Sequence, residues 1–188
     1  MKREATKVAH SKHIRIPERP IEWVGEAHNA CVRHIIGTLR IDPMMTVEQA
    51  LPEIEELVSE YFGVAGNIAP KDTSIRSSPD SKVVSELLAT LGRQLPLSGM
   101  LAAIEQLEAT AASELSGNDL LFFQGMSAVA RHSAMLWAPV GEGGEGLGNA
   151  VMKPNKYVEV ALADARGYKE GGLFHAAVES IHEILRTS

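Results

Sequence analysis

The side chains best suited to chemistry lie in one short stretch near the start of the chain. His28, Cys31 and His34 follow one another at intervals of three, and imidazole and thiolate are good ligands for zinc and related metals. On a helix these intervals place the three side chains along one side. A structural zinc site needs four ligands, so one helix supplies at most part of it. One alternative is that Cys31 is a small core residue beside a hydrogen-bonded His28. Another is that Cys31 and His28 together form a Cys/His nucleophile.

A second candidate group lies in the last predicted helix. Glu179 and His182 have the Glu-x-x-His spacing of carboxylate-bridged di-iron bundles. Such bundles use two of these motifs, and this chain has one. If the first and last helices pack together, Glu26 and His28 could meet Glu179 and His182, with Cys31 nearby, and hold Zn or Fe. Otherwise the last helix presents a solvated, salt-bridged face and the protein needs no cofactor.

Two short motifs near the ends of the chain resemble those of a family of uncharacterised small helical bacterial proteins. The motifs are G-x-x-H-N, at Gly25, His28 and Asn29, and D-A-x-G, at Asp164 and Gly167. The resemblance implies no activity. It implies that these five residues form one binding or structural junction between the two ends of the chain.

The residues themselves favour the same junction. Gly25 and Gly167 are flanked by helical sequence, where each glycine costs about 1 kcal/mol relative to alanine. That cost indicates close approach of another backbone or side chain. Buried polar groups need partners, so we expect His28 and Asn29 to form hydrogen bonds with Asp164, the one acid in a small apolar stretch, or with nearby main chain.

The elements that must position these residues are helices. Apolar residues recur at intervals of three and four in most of the chain, and Thr46 and Gln49 stand at capping-box spacing. Residues 157–162 alternate enough for a strand but have no partner strand. The prediction is an all-α bundle of six or seven helices, at 20–37, 47–62, 79–91, 97–115, 119–137, 156–165 and 173–186.

The fifth predicted helix is apolar on most of its circumference, which is typical of a helix central to a bundle. We expect Arg131 and His132 near its exposed end. The stretch 141–149 has five glycines in nine residues, which predicts a flexible loop. It lacks the patterns of dinucleotide and phosphate loops.

Charge is unevenly distributed along the chain of 188 residues, which has a formal net charge of −6. Residues 1–19 hold six basic and two acidic side chains, which predicts a flexible basic arm before a single helical domain over 20–188. The arm could reach an acidic partner or a neighbouring subunit. The acidic remainder argues against nucleic-acid binding.

No stretch resembles a secretory signal or a membrane span. The single cysteine precludes an intramolecular disulfide, and these features together favour a bacterial-type cytoplasm. Because every catalytic pattern is incomplete, the leading hypothesis is a non-enzymatic helical interaction or accessory protein with a protein partner or self-association. The alternative is a helical-bundle metalloprotein or enzyme that uses the His, Cys and Glu residues of the first and last helices.

Overall fold

The structure, a computed structural model, describes residues 21–39, 46–64, 81–150 and 156–187. Within these ranges the protein is an all-α bundle with no strand, which confirms the predicted fold class. The predicted arm, residues 1–19, lies outside the described residues. The helices are α1 (Glu22–Thr38), α2 (Val47–Val64), α3 (Lys82–Leu91), α4 (Leu97–Glu114), α5 (Gly117–Trp137) and α6 (Tyr157–Thr187).

The last helix, α6, is an antiparallel hairpin rather than a straight rod. Gly171 and Gly172 have non-helical backbone, and Gly172 has φ 70° and ψ −153°, a conformation essentially restricted to glycine. The chain therefore reverses there into two arms, 157–170 and 173–187. Asp164 and Ser180 are hydrogen-bonded across the hairpin although sixteen residues separate them. The sequence predicted this break, but it ended the first arm near 165, whereas the helix continues to 170.

Helix α5 lies at the centre of the bundle, as its all-round apolar sequence predicted. It packs against α1, α4 and α6, and its side chains from Phe122 onward are almost all buried. The expectation that Arg131 and His132 lie near an exposed end is wrong. Arg131 is buried, and the His132 side chain is only 13% exposed, because both contact a carboxylate of α1.

Local signals account for several helix ends. The predicted capping box at α2 is confirmed: Thr46 N–H donates to Gln49 Oε1 at 2.8 Å, and Gln49 N–H donates to Thr46 Oγ1 at 3.3 Å. Helix α3 begins after Ser81, whose hydroxyl accepts from a backbone N–H in the first turn. Helix α5 begins at Gly117, after Ser116, two residues before the predicted start at 119.

The glycine-rich stretch that was predicted to be a flexible loop follows α5 and contains two 3-10 turns, Val140–Glu142 and Leu147–Ala150. Glu142 links the first turn to α4 and α6 by hydrogen bonds. Its Oε2 accepts from the Leu97 N–H at the start of α4 at 3.2 Å and from the Tyr157 hydroxyl at the start of α6 at 2.9 Å. A carboxylate is favourable at a helix N-terminus, so this loop ties two helix starts together.

Candidate functional site: a buried polar junction

Five buried polar residues meet where α1 and α5 pack against the α6 hairpin. They are His28 and Asn29 from α1, Ser133 from α5, and Asp164 and Ser180 from the two arms of α6, and we refer to them as the junction. His28 Nε2 lies 3.5 Å from Asp164 Oδ2, and neither side chain is exposed. The Ser180 hydroxyl donates to the same Oδ2 at 3.1 Å. Three helical segments are thus joined through one carboxyl group.

The Asn29 side chain fixes the orientation of the His28 ring. Asn29 Nδ2 donates to the carbonyl oxygen of His132 at 2.9 Å, so Asn29 Oδ1 is the atom that faces His28 Nδ1 at 3.1 Å. An amide oxygen only accepts hydrogen bonds, which assigns the proton of neutral His28 to Nδ1. Nε2, the nitrogen that faces Asp164, then carries a lone pair.

Burial dominates the ionisation of His28. Removal from water disfavours the imidazolium and lowers the pKa of His28 from 6.5 to about 4. The hydrogen bond with Asn29 and the backbone carbonyl of Ala176 oppose this shift, and the neighbouring His132 adds to it. Neutral pH therefore leaves His28 uncharged in the folded protein.

Asp164 is shifted in the opposite direction. Burial disfavours the carboxylate and raises the pKa of Asp164 well above its usual value, and the negative charges of Glu179 and Glu183 add to the effect. The hydroxyls of Ser133 and Ser180 oppose it. Only the Ser180 contact meets hydrogen-bond geometry, however. Ser133 Oγ, Asp164 Oδ1 and His28 Nε2 are buried without a hydrogen-bond partner among the described residues.

A second buried group, the charge cluster, lies beside the junction and joins α1, α4 and α5. Arg131 forms a bidentate pair with Glu22, with N–O distances of 2.6 and 3.0 Å, and its Nε donates to Glu108 at 3.0 Å. His132 Nε2 lies 2.6 Å from Glu22, and the Ser127 hydroxyl donates to Glu108 at 2.7 Å. Burial alone would raise the pKa of Glu22, but its contacts with His132 and Arg131 lower it to about 2.

Both predicted close-contact glycines are places where a side chain would not fit. A Cβ on Gly25 would lie 2.7 Å from the backbone oxygen of Ala128 in α5 and would also meet the His132 ring. A Cβ on Gly167 would lie 2.6 Å from the backbone oxygen of His175, on the opposite arm of the hairpin. Gly25 thus brings α1 onto α5, whereas Gly167 closes the hairpin that carries Asp164.

The candidate metal ligands lie in different surroundings. His28 and Cys31 are completely buried, whereas Glu26 is exposed. Glu179 and His182 lie 3.5 Å apart on the hairpin, each about 40% exposed. In the described parts of the chain, no group of three or more His, Cys, Asp or Glu side chains is placed to hold a metal ion.

Sequence reasoning missed the charge cluster and the two serines of the junction. The available signal was the set of polar residues in an otherwise apolar α5, namely Ser127, Arg131 and Ser133. Polar residues on a central helix must find partners inside the protein. The identity of those partners, Glu22 and Glu108, depends on packing between helices and has no local signature.

Comparison with known proteins provides no relative: no family model, no curated protein and no solved structure matches this chain. The resemblance to small helical bacterial proteins stays a prediction. No helix in the described ranges has the length and apolar character needed to cross a membrane. Interpretation of the site therefore depends on its geometry.

The arrangement is suited to holding helices together. His28, Cys31 and Asp164 have no exposed surface, so a molecule in solvent does not reach them in this conformation. Burial also raises the pKa of the Cys31 thiol to about 12, which suppresses the thiolate that a nucleophile or metal ligand requires.

Proposed function

We propose that this chain is a non-enzymatic helical interaction protein of a bacterial-type cytoplasm, and that it acts by associating with protein surfaces, including a second copy of itself. One observation carries the proposal. Three of the side chains whose types suggested chemistry, His28, Cys31 and Asp164, are enclosed at 0% exposure. The polar contacts of His28 and Asp164 join helices, so the role of these residues in this proposal is to fix the scaffold that presents the outer surface.

Two features of the surface support association. Trp23, in the first turn of α1, is 38% exposed, and Leu121 and Val140 are 40% and 42% exposed. Tryptophan is enriched among the residues that dominate binding energy at protein interfaces. Residues 1–19 are rich in basic side chains while the rest of the chain is acidic, so two copies carry complementary charges.

Sedimentation velocity over a range of protein concentrations, at low and high salt, tests this function. We expect reversible self-association that weakens at high salt, because salt screens attraction between exposed charges. Trp23→Ala should weaken association further, whereas Glu26→Ala, an exposed change in the same helix, should have a smaller effect. A chain that stays monomeric at every concentration would contradict the proposal.

Elemental analysis of the same samples separates this proposal from the metalloprotein alternative. The proposed function needs no cofactor, so we expect no stoichiometric metal. Stoichiometric Zn or Fe that is lost in both His28→Ala and His182→Ala would instead support a metal centre. Glu48→Ala, which changes a carboxylate near His182 on the neighbouring α2, is a control for general loss of surface charge.

A further inference from the structure

The contact between His28 and Asp164 contains a conflict that a single proton resolves. The hydrogen bonds of Asn29 leave a lone pair on His28 Nε2. That nitrogen faces Asp164 Oδ2 at 3.5 Å. If Asp164 were ionised, two acceptors would face each other inside the protein with no solvent to separate them. Such an unpaired buried contact is strongly unfavourable.

We propose that Asp164 retains its proton at neutral pH and donates a hydrogen bond to His28 Nε2. This hydrogen bond joins α1 to the α6 hairpin. The carboxyl O–H at Oδ2 points toward Nε2 while Oδ2 accepts from Ser180. At alkaline pH hydroxide removes this proton as water and leaves a carboxylate opposite the Nε2 lone pair. The contact then becomes repulsive, and the junction acts as a proton-dependent lock.

The surroundings of the pair support the neutral state. His28 and Asp164 are both completely buried, which disfavours an imidazolium–carboxylate pair. Among the described residues, charged or titratable groups of α5 and α6 act on the pair. His132 of α5 acts against a positive charge on His28. Glu179 and Glu183, on the second arm of α6, act against a negative charge on Asp164. Each disfavours the charged form of the residue that it influences.

The lock differs from an ordinary structural hydrogen bond in its dependence on pH. Below the alkaline transition, α1 and both arms of the hairpin share one connected set of hydrogen bonds, from the His132 carbonyl through Asn29 and His28 to Asp164 and Ser180. Loss of the proton breaks this set at its centre. The predicted consequence is a separation of α1 from the hairpin before the rest of the bundle unfolds.

Nitrogen NMR of the full chain with ¹⁵N-labelled histidine tests the location of the proton. We expect the His28 ring, assigned by its loss in His28→Gln, to be neutral at neutral pH, with a protonated Nδ1 and an unprotonated, hydrogen-bonded Nε2. An imidazolium spectrum for His28 at neutral pH, or a proton on Nε2 with Nδ1 bare, would overturn the proposal.

Urea unfolding from about pH 6.5 into the alkaline range tests the lock itself. Because the unfolded chain has already lost the Asp164 proton, the wild type should lose stability as pH rises toward the raised pKa of folded Asp164 and level off above it, seen as a falling urea midpoint. Asp164→Asn places a permanent N–H donor opposite Nε2 and cannot titrate, so its midpoint should stay flat over the same range. Ser180→Ala removes a donor that favours the carboxylate, so it should raise the pH at which the loss of stability ends.

Parallel pH profiles for the wild type and Asp164→Asn would overturn the lock. If Asp164→Asn does not fold, the wild-type histidine spectrum still decides the location of the proton. In that case hydrogen exchange of the wild type decides the mechanism. Amides of α1 near His28 must lose protection at alkaline pH before those at the centre of α5, after correction for the faster chemical exchange at high pH. Simultaneous loss in both helices would contradict the proposal.

Discussion

Replacing Arg131 with methionine tests the contribution of the charge cluster to stability. Methionine approximates the length of the arginine stem but removes the cation that contacts both Glu22 and Glu108. The three side chains are each at most 11% exposed, so water replaces little of the lost interaction. Removing one partner of such a buried pair typically costs 3–5 kcal/mol.

The lowered pKa of Glu22 provides a second estimate of the free energy that the charge cluster contributes to stability. Its pKa lies at about 2 instead of 4.5, which corresponds to about 3 kcal/mol of stabilisation above pH 4.5. Because the pKa is lowered on folding, this stabilisation is lost as pH falls from 4.5 toward 2. His132 supplies part of it. We therefore expect Arg131→Met to destabilise the protein by about 3 kcal/mol at neutral pH and by less near pH 3.

Urea unfolding followed by circular dichroism at the two pH values measures this effect. Arg33→Met is the matched control, because Arg33 is an exposed arginine of α1 paired with the exposed Glu145. Exposed pairs contribute roughly 0–1 kcal/mol. An Arg131→Met loss no larger than that of the control, or a loss that does not shrink in acid, would refute the assignment of the cluster as a stabilising ion network.

Three further predictions use the same unfolding assay. Gly25→Ala should destabilise the protein because the added Cβ would collide with α5. Gly37→Ala, whose Cβ meets nothing within 4 Å, should be neutral or stabilise the protein by up to about 1 kcal/mol. A larger loss of stability in Gly37→Ala than in Gly25→Ala would contradict the packing of α1. Thr46→Ala should cost about 1 kcal/mol by removing the capping hydroxyl from Gln49 N–H, and an unchanged urea midpoint would count against the cap. In an Asp164→Asn background, which removes the opposing titration of Asp164, the lowered pKa of His28, about 4 instead of 6.5, means that the unfolded chain binds more protons between these values, so stability should fall by about 3 kcal/mol as pH drops from 6.5 to 4; adding His28→Gln should flatten this part of the profile.

The helices were predictable because their signals are local. The three-to-four spacing of apolar residues identified the helical segments, and Thr46 with Gln49 marked the start of α2 correctly. The reversal at Gly171 and Gly172 was also visible as a break in sequence. Its geometry was not, because the pairing of Asp164 with Ser180 depends on how the two arms pack.

The site was predictable only in part, and the reason is physical. Glycines in helical sequence indicated close approach at Gly25 and Gly167, but not which backbone would approach. The partner of Asn29 is the His132 carbonyl rather than Asp164, because the crossing of α1 over α5 brings that carbonyl within reach. Arg131 is buried against expectation because the carboxylate of Glu22 compensates its charge. Glu22 lies far from Arg131 in the sequence, so the pairing has no local signal.

The reactivity of the single cysteine tests the central claim most directly, namely that His28 and Cys31 of α1 are enclosed inside the scaffold. Cys31 lies on the same buried face as His28 and has no exposed surface. We expect the native thiol to react with Ellman's reagent at least about 10³-fold more slowly than the urea-unfolded chain, since reaction then requires opening of the bundle. Rapid release of one equivalent of chromophore from the native protein would contradict the account.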